Sequence, residues 1–530
     1  MTDATAAAAA VAGAPTVEVP PKLNVAAEYI DKPVAAGHGD RAAYLFEGER
    51  LSFAELQRRV NQAGNALAAL GVEIEQRVAV LLPNRPEFVT AFFGVIKIGA
   101  VPTAMSFAVT PEEHALLLAD SRARAIVTTA ALWAPLRAER QRFPHLRHVL
   151  IVGDGERQAG ELDFAAAVNA ASPELQAAET DAEDSAFWLH TSGSTGTPKW
   201  AVHRQRDMLF SDRLYAAPYV GLQPGDVVVC GSPCFHAYPL GFTTYFALNA
   251  GATVVLNPER STPARMFQLI RQHRATIFVG VPTLYAQMLH ASEAGEPADL
   301  SSVRACFAAA EPLPGDLYLR WRERFGVEIL DGIGTTEALH IFISNRAGEV
   351  RPGSSGRPVP GYDIRLVDEQ DADVAQGGIG DLVVRGGSVF AGYWRRPEIS
   401  RRTLRGEWYH TGDKYRQDAD GYYWYMGRAD DLLRVSGHWV SPAEVEAALI
   451  AHPAVLECAV VGKQDADKLT KPQAFVVLRD AAQASAALVE ELKAHVKATI
   501  APYQYPRWIE FRDNLPKTAT GKIQRFKLRE

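Results

Sequence analysis

The run Val78-Ala79-Val80-Leu81-Leu82 constrains the fold of this chain more than any other stretch. Consecutive apolar residues with no polar alternation leave no face for water, which is the pattern of a strand covered on both sides in a parallel sheet. Its surroundings agree. A helical run from Pro86 to Ile98 ends at Gly99, a favoured residue just past a helix C-terminus, and a further strand begins at Val101. Upstream, Ala42-Tyr44-Phe46 alternates as a strand, and Ser52, three residues before Glu55, is placed to cap a helix running to Leu70. The pattern is βαβ.

A related unit returns later. Val227 to Ser232 reads as a strand, Phe242 to Asn249 as a helix, and Gly251-Ala252 leads into Val254-Val255-Leu256, as Gly99-Ala100 leads into Val101. Two doubly wound α/β subdomains are therefore expected, over 21–185 and 186–350. Beyond Arg351 glycine and proline become frequent, and short alternating segments such as Asp363–Val367 and Asp381–Val384 predict a small antiparallel, barrel-like β subdomain over 351–430. Together these make a large N-terminal domain, 21–430. A compact α+β domain over 431–530 closes the chain, entered through the short charged stretch Arg428-Ala429-Asp430-Asp431. Residues 1–20 are alanine-rich at their start, lack the basic stretch of a signal peptide, and are expected to form a disordered tail.

Composition excludes some classes. The 530 residues are 47% hydrophobic and 22% charged with a net charge of −7, which is globular and without the basic footprint of a nucleic-acid binder. No stretch approaches the roughly 18 apolar residues of a membrane helix. Cys230, Cys234, Cys306 and Cys458 are scattered, and no second pair completes a zinc site beside Cys230 and Cys234. Buried thiols in a reducing cytoplasm are expected.

The chemistry centres on Thr191-Ser192-Gly193-Ser194-Thr195-Gly196-Thr197-Pro198-Lys199. It follows the apolar run Phe187-Trp188-Leu189, expected as a buried strand. Glycines let successive backbone N–H groups face one concavity, hydroxyls add donors, and Lys199 adds charge, so the stretch is suited to cradle a polyphosphate. It is not a Walker A loop, because Pro198 stands where glycine should precede the lysine.

This loop resembles the phosphate loop of adenylate-forming enzymes, the superfamily of acyl-CoA synthetases, adenylation domains and luciferases. Further motifs similar to that superfamily's follow in the expected order: Gly334-Thr335-Thr336-Glu337, Tyr409-His410-Thr411-Gly412-Asp413, Gly427-Arg428-Ala429-Asp430-Asp431, Ser436-Gly437-His438-Trp439 and Pro516-Lys517-Thr518-Ala519-Thr520-Gly521-Lys522. The resemblance spans nearly all of 21–530. It implies ATP, Mg²⁺ and coenzyme A as ligands.

The resemblance also assigns roles. Glu337 matches the magnesium carboxylate and Thr336 the α-phosphate contact, beside Thr335. Asp413 matches the carboxylate that binds both ribose hydroxyls, with Arg428 as a second ribose or phosphate contact. Ala309-Ala310-Glu311-Pro312 and Asp331-Gly332 fall where an adenine slot is built. Lys522 matches the lysine that bridges the incoming carboxylate and the α-phosphate, a role suited to a compact ammonium on a flexible stem. Asp430 matches the hinge on which the small, mobile C-terminal domain swings, bringing Ser436, Gly437, His438 and Trp439 to line a thiol tunnel. Simpler roles exist for several of these residues: Glu337 as a first-turn helix acid, Asp413 as a turn residue, Arg428 as a surface ion-pair partner, Lys517 as a solvated lysine.

Phe235-His236-Ala237-Tyr238-Pro239-Leu240-Gly241-Phe242 matches the segment flanking the acid pocket. It offers no carboxylate for an α-ammonium group, which disfavours amino acids. Ala237, Tyr238, Ala308, Ala309, Gly334, His340 and Ile341 would form a small, mostly apolar pocket for a flat ring. His236 is placed as a general base, a channel-lining gate or a packed core histidine. The run from Cys234 through Tyr285 resembles the benzoate–CoA ligases of aromatic-degrading bacteria, which implies benzoate as substrate. Since the sequence ends at Glu530, shortly after Lys522, free coenzyme A is the expected acceptor. Medium-chain or alicyclic acids, and a separate carrier protein as acceptor, are the alternatives. A regulator without chemistry is disfavoured by Lys522, Glu337 and Asp413. The resemblance further implies a lysine acetyltransferase and deacetylase acting on Lys522, and a monomer or homodimer.

Overall fold

The computed structural model describes residues 16–192, 198–428, 433–435, 438–465, 469–517 and 523–529, with the side chains of Ser192, Arg434, His438, Trp439, Pro502 and Phe526 outside the description. Two large, mainly parallel sheets form the frame. One has eight strands in the order Gly392–Tyr393, Pro198–Arg204, Ser185–Ser192, Val101–Ala104, Arg77–Leu81, Ala125–Thr129, His148–Val152 and Glu161–Asp163. The apolar run that opened the sequence reading lies near its centre. Val78 to Leu81 are fully buried, as a strand covered on both faces must be. The helix Phe53–Ala69 is capped as expected, with the Ser52 hydroxyl accepting from the Glu55 amide at 3.1 Å. The helix Pro86–Lys97 ends before Gly99, whose φ of +76° is left-handed.

The second sheet has nine strands in the order Arg357–Pro358, Ile341–Ser344, Ile329–Gly334, Ala305–Ala308, Ile277–Gly280, Val227–Cys230, Thr253–Val255, Ala42–Phe46 and Glu49–Ser52. The two sheets do not follow the expected division at residue 185. Ala42–Phe46 pairs in parallel with Thr253–Val255, Tyr44 opposite Val254, so an early hairpin completes the later sheet. Conversely Ser185–Ser192 and Pro198–Arg204 extend the earlier sheet, Thr103 opposite Trp188. Strand pairing is decided by which sheet edge is open, and neighbours in sequence need not share a sheet. The helix expected over 242–249 is also two short ones, Ala237–Thr243 and Tyr245–Ala250, broken at Thr244 (φ −131°, ψ −100°). Buried residues from both sheets, such as Phe187 and Phe307, and from the helices against them, such as Phe92, Phe242 and Phe246, belong to one continuous core.

From 363 to 428 a five-stranded antiparallel sheet is built around the ten-residue strand Trp408–Gln417. The last piece has a three-stranded sheet, Val455–Gln464, Thr470–Leu478 and Trp508–Phe511, with the helices Pro442–Ile450 and Ala486–Thr499. Its own core, with Val445, Leu449, Val460, Val476, Leu492 and Val496, makes it a separate α+β body. Among the described residues no helix is long and apolar enough to cross a membrane. All four cysteines are buried and free, and burial pushes the thiols of Cys230, Cys234 and Cys306 up to about 12.

Candidate active site

The phosphate-loop stretch joins two antiparallel strands in register, Thr191 opposite Lys199 and Ser192 opposite Pro198. Gly193, Ser194, Thr195 and Gly196 lie outside the described residues, but both ends of the stretch are placed. Lys199 points inward and is 7% exposed, with Nζ 4.9 Å from the centroid of the Tyr393 ring. Burial lowers its pKa, while the nearby Glu337 carboxylate acts to raise it. The Tyr393 hydroxyl in turn donates to Glu337 Oε1 at 2.6 Å. Burial and the adjacent carboxylate push the Tyr393 phenol upward, so it keeps the proton it donates.

Glu337 is therefore not an exposed first-turn acid. It is buried in the single 3₁₀ turn Thr336–Ala338, whose start is capped by Thr335 Oγ1 accepting from the Ala338 amide at 3.1 Å. The Phe390 amide donates to the Glu337 carbonyl at 2.7 Å, and Ser388 Oγ donates to the Ala338 carbonyl at 2.7 Å. Backbone and side chain of this turn are held from the segment 388–393. No group of three or more His, Cys, Asp or Glu residues among the described residues is arranged to hold a metal. One carboxylate with few protein co-ligands fits Mg²⁺, which takes most of its oxygens from water and substrate phosphates.

The two expected adenine-slot segments meet. Ala308, at the end of the strand Ala305–Ala308, is directly opposite Asp331 on the parallel strand Ile329–Gly334. Ala309 and Ala310 continue from that strand end, Ala310 with φ +77°, while Glu311 accepts from the Thr283 hydroxyl at 2.7 Å and from its amide at 3.1 Å. Pro312 is exposed next to them. Ligands of open α/β sheets bind at such carboxyl ends. Asp331 is 3% exposed, and its Oδ1 has no hydrogen-bond partner among the described residues. A buried orphan acceptor calls for a donor such as an exocyclic amine. Burial also drives the Asp331 pKa well above the usual carboxylate value.

Asp413 and Arg428 face each other across neighbouring antiparallel strands, with Arg428 Nη1 3.1 Å from Asp413 Oδ1. Asp413 holds the arginine pKa above its ordinary value, and Arg428 in turn acts on Lys199 and Tyr393. Asp413 is a buried strand residue and no bare turn group, while Arg428 remains a partly exposed ion-pair partner beside the Lys199–Tyr393–Glu337 chain.

The acid-pocket residues also converge. His340, 2% exposed, places Nε2 3.0 Å from the Tyr238 carbonyl, and its ring lies 5.6 Å from that of Tyr238. Tyr215 and Phe246 complete an aromatic surround at 5.1 and 4.6 Å. Burial lowers the His340 pKa to about 3, so the ring is neutral and the wall carries no charge. Ala237, Ala309 and Ile341 are buried beside it. Gly334 has no room for a side chain, since a Cβ would stand 2.4 Å from the His340 carbonyl oxygen. Overpacking against backbone costs about 1–3 kcal/mol, so Gly334→Ala should both lower the melting temperature and raise KM for the acid. An unchanged KM in a normally folded variant would remove Gly334 from the pocket.

His236 is the N-cap residue of Ala237–Thr243, with its ring 4.3 Å from Phe235 and 6.4 Å from His190. His190, immediately before the phosphate loop, accepts from the Ser106 amide at Nε2 (2.9 Å), and burial lowers its pKa to about 4. It is a neutral buttress, not a proton carrier. Lys522, Asp430, Ser436 and Gly437 lie outside the described residues. The backbone of His438 and Trp439 forms a short hairpin with Leu433–Val435. Lys517 is not a solvated lysine: it pairs with Glu457 at 2.6 Å.

Sequence reasoning missed Tyr393, His190 and His203. Tyr393 is 56 positions from the glutamate it binds, and no local pattern connects them. His203, on the strand leaving the phosphate loop, sits against the Thr336 carbonyl at 2.8 Å.

Comparisons with known proteins agree with this geometry. Residues 32–394 match the AMP-binding enzyme family, and residues 444–522 match the AMP-binding enzyme C-terminal domain. A benzoate–CoA ligase of Thauera aromatica is 47% identical over 517 residues, covering 97% of both chains. A 4-hydroxybenzoate–CoA/benzoate–CoA ligase of Rhodopseudomonas palustris is 41% identical, covering 96% of this chain and 94% of its own. A benzoate CoA ligase from Burkholderia xenovorans superimposes with a TM-score of 0.88 at 41% identity, over 96% of this chain and all of the other. An anthranilate CoA ligase in complex with anthranoyl-AMP superimposes with a TM-score of 0.92 at 40% identity, covering 96% of this chain and 97% of the other. The motif order, the two sheets meeting at Glu337 and these full-length matches have one explanation: the chain belongs to the AMP-binding, adenylate-forming enzyme family.

Proposed function

We propose that this protein is an AMP-forming acid–CoA ligase whose acid is benzoate. The observation that carries the choice of acid is the uncharged, largely aromatic wall of Tyr238, His340, Ala309 and Ile341 next to Glu337. A flat, apolar ring fits that wall, and an ammonium group would find no carboxylate in the 235–242 segment. Full-length similarity to benzoate–CoA ligases supports the same substrate.

In the first half-reaction the benzoate carboxylate attacks the α-phosphorus of ATP and diphosphate leaves; in the second, the CoA thiol displaces AMP from benzoyl-adenylate. Glu337 would hold Mg²⁺ together with the nucleotide, and the ion would offset phosphate charge there. Glu337 and Thr336 hold their positions through the 3₁₀ turn, and Lys199 adds a partly desolvated positive charge at the end of the phosphate loop. Asp413 offers two acceptor oxygens to two ribose hydroxyls, with Arg428 paired to one of them at 3.1 Å. Asp331 takes the adenine amine on its orphan oxygen. Lys522 bridges the two reacting groups, and its charge would be removed by acetylation. The C-terminal body swings about Asp430 between half-reactions, and a monomer or homodimer suffices for both.

The test is AMP release with ATP and Mg²⁺, with and without CoA, over benzoate, 4-hydroxybenzoate, 2-aminobenzoate, cyclohexanecarboxylate, octanoate and acetate. CoA-dependent preference for benzoate is expected. Preference for octanoate would overturn the acid and leave the ligase. Acid-dependent pyrophosphate exchange without CoA turnover would point to a carrier protein as acceptor.

A further inference from the structure

His203 and Asp207 form a fully buried pair beneath the adenylation turn, each with 0% side-chain exposure. His203 Nδ1 is 3.0 Å from Asp207 Oδ2, and Nε2 is 2.8 Å from the Thr336 carbonyl oxygen. A carbonyl oxygen only accepts, so Nε2 carries a proton. Asp207 Oδ2 also accepts from the Arg204 amide at 3.0 Å, and Oδ1 accepts from Arg204 Nε at 3.2 Å. Those donors fix the Asp207 carboxyl with Oδ2 turned to His203 Nδ1. Phe187 stacks on the ring at 5.1 Å and 17°, so it cannot turn away from either partner.

We infer that His203 is a positioning residue for adenylation: a buried imidazole, held by Asp207, that ties the strand leaving the phosphate loop to the turn carrying Thr336 and Glu337. Lys199 and His203 share one face of the strand Pro198–Arg204, four residues apart. From that face Lys199 reaches the turn through Tyr393, and His203 grips its backbone directly. The two halves of the nucleotide site, which lie more than 130 positions apart in sequence, thus move as one body. Breaking a buried pair by removing one member is costly.

The inference rests on the nucleotide-site assignment made above, and two measurements separate their failures. In full-length protein labelled with ¹⁵N-histidine, one of the 14 histidines should show a ring Nε2–H protected from exchange with solvent and lost in His203→Gln, because that proton is buried against the Thr336 carbonyl. Absence of such a protected ring proton overturns the grip of His203 on Thr336, whatever the enzyme does. The second compares His203→Gln, whose amide reaches the Nε2 position, with His203→Asn, which reaches only toward Asp207. With folding verified by thermal melting, His203→Asn should raise the Mg²⁺ concentration for half-maximal pyrophosphate exchange about tenfold and His203→Gln about threefold or less, with thioester formation from supplied benzoyl-adenylate within about twofold for both. Equal losses in both variants and both half-reactions would reduce His203 to packing. If wild-type protein forms no AMP with any acid, the function proposed above fails, while the ¹⁵N result still decides whether His203 holds Thr336.

Discussion

Glu337→Gln is expected to abolish most acid-dependent adenylation, lowering its rate about 1,000-fold, as removal of one charge aimed at a developing anion or its metal commonly does. The substitution preserves volume and leaves an amide oxygen to accept from Tyr393, so the turn 336–338 keeps its hydrogen bonds. Only the negative charge is lost. Tyr393→Phe is the matched control, because it leaves the charge and removes the donor that aims it. A hydrogen bond to a charged group contributes about 1.5–3 kcal/mol, so this variant should lose roughly 10- to 100-fold. Single-turnover formation of benzoyl-adenylate at several Mg²⁺ concentrations separates the two. The glutamine variant should not recover at saturating metal, while the phenylalanine variant should recover in part. A glutamine variant with near-normal rate would show that Glu337 only anchors Tyr393, and the metal would have to be placed elsewhere.

Lys522→Ala should lower adenylation by about 100- to 1,000-fold and leave thioester formation from supplied benzoyl-adenylate close to wild type. The asymmetry is the informative part. An ammonium that bridges carboxylate and α-phosphate matters only while that bond forms. Once the adenylate exists, the thiol attacks a carbonyl carbon with AMP as leaving group, and the bridge has no further task. In sequence Lys522 lies between Lys517, which pairs with Glu457, and Ile523, which bridges back to Lys517 in antiparallel fashion. An alanine at 522 leaves those anchors untouched. Equal loss in both half-reactions would overturn the role assigned to Lys522.

Much of the frame was legible from local pattern. The run 78–82, the Ser52 cap, the stop at Gly99 and the strands 363–367 and 381–384 all express periodicity or end chemistry over a few residues. These signals are strong because burial on both faces, or an unsatisfied helix end, restricts which residues are tolerated. Misplaced expectations were of a different kind. The break at Thr244 interrupts an apolar run that reads equally well as one helix, and the exchange of hairpins between the two sheets depends on which edges remain open after folding.

The functional site divides along the same line. Sequence by itself determined the motif order, the residue types able to hold phosphate, ribose and metal, and the absence of an acid in the 235–242 segment, since each is a matter of chemistry within a short window. Only tertiary structure decided that Tyr393 aims Glu337, that His340 is a neutral wall and that His203 grips Thr336. Those properties arise from burial and from contacts between residues far apart in the chain. Desolvation sets the charge of an ionisable side chain and a partner sets its direction, and both exist only once the two sheets have closed on a common core.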